Sequence, residues 1–212
     1  MSISKLFEVQ RKLDERIARE KGLEGQNLLD KKILALQVEL GELANEWRGF
    51  KYWSNDQEPR TTAKCETCDG LGNDIYFTGS YDNGNLQECS EPCEYCDGTG
   101  DDDSKNPLLE EYVDCLHFIL SIGLELGYTF STVAKWRSSN VNEQFNDIFH
   151  AIATLYESIK ADWEDEERQD CFSELAKGFL GLGGMLGFTP EQIESAYYEK
   201  NAENHRRQEV GY

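Results

Sequence analysis

Basic residues are scarce: lysine and arginine number 21 against 41 aspartates and glutamates, a formal net charge of −20 over 212 residues. A phosphate backbone would be repelled over most of such a surface, which argues against passive nucleic-acid binding. Nucleotides are not excluded, because divalent cations can bridge an acidic pocket and a triphosphate. Long apolar runs are also absent. No stretch approaches the roughly 20 residues that span a bilayer, so no membrane partner is expected. The first residues, MSISKLFEVQRKLDERI, turn amphipathic at once and hold no apolar h-region, so the cytoplasm is the expected location. Histidines number three and none has glutamate three positions before it, which sets aside the Glu-x-x-His pattern of helical di-iron sites. Seven cysteines, an odd number without a secretion signal, point to reduced thiols or metal ligands rather than a disulfide framework.

What is present is helical period. Leu29, Ile33, Leu36, Leu40, Leu43, Trp47 and Phe50 follow alternating steps of four and three, an amphipathic stripe. Residues 5–20 form a shorter candidate helix. Asn106-Pro107 opens another, carrying Leu109, Val113, Leu116 and Leu120. Further helices are marked by Phe145, Ile148, Ile152, Leu155 and Ile159, then by Phe172, Leu175, Phe179, Leu182 and Leu186. Thr189-Pro190-Glu191 opens the last with a cap, a proline and an acidic first turn. The run GFLGLGGMLGF, residues 178–188, interleaves glycine with large apolar residues and predicts closely packed helices rather than a phosphate loop. The expected fold is an all-α helical bundle, residues 1–54 and 107–212.

Residues 55–106 break the period and read as an inserted module. They hold five of the seven cysteines, with thirteen acidic residues against three basic ones. CETCDGLG (65–72) and CEYCDGTG (93–100) are two copies of one CxxCxGxG pattern. Each knuckle offers two thiolates, and two knuckles complete a tetrahedral S₄ site for structural Zn²⁺ from Cys65, Cys68, Cys93 and Cys96. A redox role is the competing reading, disfavoured by the duplication outside any βαβ context. Between the knuckles, DIYFTGSYDNGNLQE predicts a β-hairpin turning near Asn83-Gly84. The pattern resembles half of the zinc domain of DnaJ-type chaperones. Cys89 is a spare thiol or an alternative ligand; Cys115 and Cys171 read as small core residues. Loop stapling, interface building and recruitment of an unknown protein partner are the open roles for the insertion.

Glu39 and Glu42 lie three apart beside Leu40 and Leu43, so on a helix they share one face. Glu111 and Asp114 repeat the spacing on a later helix, whereas Glu110 has Val113 three residues on. Two such helices face to face direct four carboxylates at one point, a repulsive cluster unless divalent cations bridge it. Hard oxygen ligands with room for water and phosphate suit Mg²⁺ or Mn²⁺. A solvated helix edge is the plain alternative for either pair alone. Glu46, one turn on, matches no required ligand position.

ExxE on one helix and ExxD on a later one resembles the all-α nucleoside triphosphate pyrophosphatases. With ELGELANEWRGFKYWS, EEYVDCLHF and the terminal YYEKNAENHRRQEVGY attached, the chain resembles the dimeric all-α dUTPases, including those of phages. The resemblance covers roughly residues 1–54 and 107–212. It implies hydrolysis of dUTP to dUMP and pyrophosphate by water attack on the α-phosphorus. Glu39, Glu42, Glu111 and Asp114 would then hold two or more Mg²⁺ ions, with Glu39 as first choice and Glu42 as second for the catalytic base. It also places Phe118 and Trp53 against the uracil, His117 at the border of that pocket, Gln10 at the uracil edge, and Asn204 and Tyr212 on the nucleoside. Lys51, Lys200, Arg206 and Arg207 are candidates for the phosphate oxygens. A homodimer is implied as well. The rival readings are a pyrophosphohydrolase for another nucleotide such as dCTP, and a zinc-ribbon adaptor without catalysis.

Overall fold

The computed structural model describes residues 2–82, 85–130 and 135–211, with 76–82 and 85–89 described by backbone alone. The chain divides into two compact units, Met1–Pro59 with Leu108–Tyr212, and Arg60–Pro107. The first is all-α: α1 Ile3–Lys21, α2 Leu29–Trp47, α3 Pro107–Leu126, α4 Val141–Lys160, α5 Asp165–Met185 and α6 Pro190–Glu209. α1 packs on α6, α2 on α4 and α4 on α5. No helix among the described residues is long and apolar enough to cross a membrane.

α3 is buried around most of its circumference, from Leu108 and Tyr112 through Cys115, Leu116 and Ile119 to Ile122. A helix buried on most sides belongs inside a bundle, so α3 forms its core, with one acidic edge left open. Tyr112 stacks on Phe179 of α5 with ring centroids 4.5 Å apart. The glycines of 178–188 make such approaches possible, as the packing reading expects. A Cβ at Gly183 would lie 2.5 Å from the Tyr112 hydroxyl, and Gly178 and Gly181 lie against Trp136. Two termini follow their caps closely. Asn140 accepts from the Glu143 amide at 2.9 Å. Thr189 and Gln192 form a reciprocal capping box at the start of α6.

The apolar stripe of α2 buries Leu29, Ile33, Leu36, Leu40 and Leu43, but the helix stops at Trp47, before Phe50. Arg48 turns left-handed at φ 64° while its amide still bonds the Ala44 carbonyl. Its guanidinium then folds back onto the Asp56 carbonyl at 2.8 Å and the Asp56 carboxylate at 2.9 Å. Phe50 lies beyond the helix, half-buried, edge-on to Trp53 at 5.8 Å.

The second unit holds two antiparallel pairs. β1 (Ala63–Lys64) pairs with β4 (Asp101–Asp102), and β2 (Asn73–Asp82) pairs with β3 (Asn85–Pro92). The second pair is the expected hairpin; the Asn83-Gly84 turn lies outside the described residues. Around the hairpin the two CxxCxGxG segments repeat one set of contacts. The Cys65 amide bonds the Gly100 carbonyl at 2.8 Å, and the Cys93 amide bonds Gly72 at 2.9 Å. Gly72 and Gly100 carry positive φ, and a Cβ on either would strike the opposite knuckle's backbone.

Candidate active site

Burial of Leu40 and Leu43 on α2, and of Val113, Cys115 and Leu116 on α3, sets the rotation of both helices. Their acidic edges therefore converge. Carboxylate oxygens of Glu39, Glu111 and Asp114 gather within 4.8 Å of one another. Glu42 is exposed and stands outside this trio, yet its charge reaches both Glu39 and Glu111. Burial, then the charge of Asp114, raises the Glu39 carboxyl above the usual range. Burial and the Asp114, Glu39 and Glu42 charges push Glu111 up to about 7. Asp114 is also raised, burial outweighing the favourable Lys200 ammonium at 2.5 Å.

Three crowded carboxylates are held together here at a cost, and Lys200 from α6 offsets only part of it. Glu111 Oε2 is buried with no hydrogen-bond partner among the described residues. An orphan acceptor beside two further carboxylates fits a hard divalent cation, whose charge removes the conflict.

One wall of this cluster opens on a cavity of about 360 Å³. Glu39 and Asp114 line it together with Gln10, His117, Phe118, Asn204 and Arg207. His117 is buried and stacks on Tyr197 at 4.1 Å, and burial lowers its pKa to about 3, so the ring is neutral. Its Nδ1 lies 2.6 Å from Gln10 Oε1. Gln10 is itself buried, so its amide is a fixed part of the wall rather than a surface side chain.

Other expected residues are not brought to this cavity. Trp53 is 66% exposed. The Lys51 ammonium lies 5.7 Å from the Phe50 ring. Arg206 is engaged by Glu203 through two bonds of 2.7 Å. Tyr212 lies outside the described residues. In the other direction, Asp14, Ser121 and Gln208 line the cavity without having been singled out, and Tyr197 backs it. The signal was there in part: Asp14 follows Gln10 by four, and Ser121 follows His117 by four, each on one helix face.

In the second unit Cys65, Cys68, Cys93 and Cys96 are buried with all four sulfurs within 4.8 Å. The Cys65–Cys93 sulfurs are 4.0 Å apart and the Cys68–Cys96 sulfurs 3.8 Å. A tetrahedral ion with bonds of about 2.3 Å to sulfur separates its ligands by about 3.8 Å. The Gly72 and Gly100 amides donate to Cys68 Sγ and Cys96 Sγ at 3.3 and 3.2 Å, which stabilises thiolates. The cluster can hold zinc. Cys115 is buried on α3 and Cys171 half-buried on α5; Cys89 is described by its backbone alone, opposite Tyr76.

A family model described as dUTPase matches residues 2–91 and 98–212. The match includes the first cysteine knuckle and most of the hairpin, and skips the six residues that contain Cys93 and Cys96. No curated protein matches the chain.

Proposed function

The chain belongs to the dUTPase family and hydrolyses dUTP, and we propose that it does so at the carboxylate cluster of α2 and α3 with Mg²⁺ as cofactor. The supporting observation is the joining of that cluster to the cavity lined by Gln10, His117, Phe118 and Arg207. Divalent cations held by Glu39, Glu111 and Asp114, with Glu42 turning in from its exposed position, would neutralise the triphosphate and acidify a water.

The chain's own residues have the following parts. Glu39 lines the cavity, so its carboxylate orients the attacking water and accepts its proton. The water oxygen bonds to the α-phosphorus as the bond to the α–β bridging oxygen breaks, and pyrophosphate leaves dUMP. Arg207 and Lys200 bind phosphate oxygens, Lys200 after leaving Asp114. Phe118 packs on the base, Gln10 and His117 meet its polar edge, and Asn204 contacts the nucleoside. Trp53, Lys51, Arg206 and Tyr212 stand as proposed nucleotide contacts on the family resemblance alone.

The cysteine cluster is proposed to hold one structural Zn²⁺. A homodimer is proposed too, since Leu34 and Val38, one turn apart on α2, are exposed at 61% and 50%. A second copy would cover them. Pyrophosphate release measured across all dNTPs and NTPs with Mg²⁺ tests the function. Strong preference for dUTP supports it. Preference for dCTP would move the substrate, and no release from any nucleotide would sink the site.

A further inference from the structure

Asp14, itself half-buried, sits at the head of a hydrogen-bond chain that runs inward to buried Gln10, His117 and Tyr197 and whose polarity has one solution. Its Oδ2 accepts from the Ser121 hydroxyl at 2.6 Å, and its Oδ1 lies 2.7 Å from the Gln10 amide nitrogen. The Lys32 ammonium stands 3.6 Å from Oδ2 and 2.6 Å from Glu125. A carboxylate accepts and does not donate, so it must face the NH₂ end of Gln10. Gln10 Oε1 is thereby turned the other way, where it accepts from the Tyr197 hydroxyl at 2.6 Å. The same oxygen meets His117 Nδ1 at 2.6 Å, so Nδ1 must carry the ring proton. His117 Nε2 then holds a lone pair, and it is buried with no partner among the described residues. One hydrogen of the Gln10 amide is left over.

We propose that Asp14 is the positioning residue that sets base specificity, by imposing this polarity on two residues that line the cavity. The inference rests on the dUTP reading above and names what makes the site selective. A lone pair on His117 suits a base with a ring N–H between two carbonyls, the imide of uracil, and the spare Gln10 N–H suits one of those carbonyl oxygens. Cytosine presents a lone pair at the same ring nitrogen, so acceptor would face acceptor. A buried mismatch of this kind rejects strongly, because neither group can find water instead. Tyr197 contributes by holding Gln10 Oε1 and by stacking on the imidazole.

Asp14→Asn removes the constraint. Its amide can donate to Gln10 Oε1, the Gln10 NH₂ then faces His117 Nδ1, and the ring proton moves to Nε2. The test is ¹⁵N NMR of the His117 imidazole in the full chain, with kcat and KM for dUTP and dCTP on the same samples. The expected wild-type signature is Nδ1–H with a pyridine-like Nε2; an Nε2–H tautomer or an imidazolium overturns the proposal. In Asp14→Asn the tautomer should switch, and the dUTP to dCTP ratio of kcat/KM should fall at least tenfold, mainly through KM for dUTP. A folded variant with unchanged tautomer and ratio also overturns it. Should Asp14→Asn fail to fold, Tyr197→Phe keeps the ring stack and loses the hydroxyl; a fall in the ratio of about threefold is expected, and no change refutes. A wild type with the expected tautomer but no turnover of dUTP would leave the hydrogen-bond chain standing and remove the substrate reading.

Discussion

The four thiols of the second unit and the carboxylates of α2 and α3 differ in what their surroundings leave for a ligand to do. The thiols are buried, close to tetrahedral spacing, and supported by amides from their own knuckles. Every ligand position of a bound Zn²⁺ would be filled from the chain, the mark of a structural site. The carboxylates are half-buried, mutually repulsive, partly balanced by Lys200, and open on one side to a cavity. A cation there would keep positions free for water and phosphate. With metal bound, closure would make the first a staple, and openness would make the second a place for chemistry.

The sharpest way to break this contrast is to exchange the expected damage. Glu111→Gln should lower turnover by a factor on the order of a thousand or more, while the metal-free protein melts no lower, because a repulsive charge has gone. Steady-state kinetics with a melting curve checks both; retained turnover would mean the open cluster is not the reacting centre. Cys65→Ser should do the opposite first. Zinc content should fall from one ion per chain to none, and residues 60–107 should become protease-sensitive while the helical circular dichroism signal persists. The stability lost by that unit is expected to be several kcal/mol, on the order of 5, since zinc binding there would be coupled to folding.

A smaller effect probes how the open cluster is balanced. Lys200 is bonded to Asp114 and competes with any cation for it. Lys200→Met should raise Mg²⁺ affinity about tenfold by calorimetry, a gain of roughly 1.4 kcal/mol, while KM for dUTP rises. Unchanged affinity would show that Lys200 stands clear of the cation position.

The smallest expected effect is on pH dependence. Glu111 titrates at about 7 in the folded protein, above its ordinary 4.5, so the folded state holds this proton more tightly than the unfolded state. Stability from the group is full below about 4.5 and is lost as pH rises through about 7. His117, lowered to about 3, acts in the other direction: its contribution is full above the ordinary 6.5 and is lost as pH falls. The melting-temperature difference between wild type and Glu111→Gln, without metal, cancels the histidine. Wild type should lose ground by a few degrees between pH 4.5 and 7, because solvent reaches the half-open carboxyl and limits the effect to about 1 kcal/mol. Saturating Mg²⁺ should abolish that slope. A metal-free difference that grows in wild type's favour with pH would contradict the repulsive cluster.

Much of the fold was legible because its signals are short-range. Thr189-Pro190 and Asn140 cap the helices they precede, and the period of Leu29 through Leu43 marks one buried face. Phe50 shows the limit. Its position continues the period, but Arg48 finds a better partner in Asp56 by leaving the helix, and no local pattern encodes that exchange. In the candidate site, the convergence of Glu39, Glu111 and Asp114 was legible because spacing of three on apolar-edged helices constrains direction. Glu42 shares the spacing with Glu39 and still ends in solvent, outside the trio, because spacing along one helix does not say which part of its edge the neighbouring helix covers.

By itself the sequence determined an all-α bundle interrupted by a duplicated cysteine knuckle, two acidic helix edges and a last helix whose final turn carries the basic pair Arg206-Arg207. Those features depend on residues within a few turns of each other, where backbone geometry dictates neighbours. Only the tertiary structure decided which carboxylates meet, that Lys200 pairs with Asp114, and that Asp14, Gln10, His117 and Tyr197 form one directed hydrogen-bond chain. The contacts from Gln10 to His117 and to Tyr197 cross 107 and 187 residues of chain. Packing of α1 and α3 with α6 closes those distances, and donor and acceptor roles follow only once the groups are face to face.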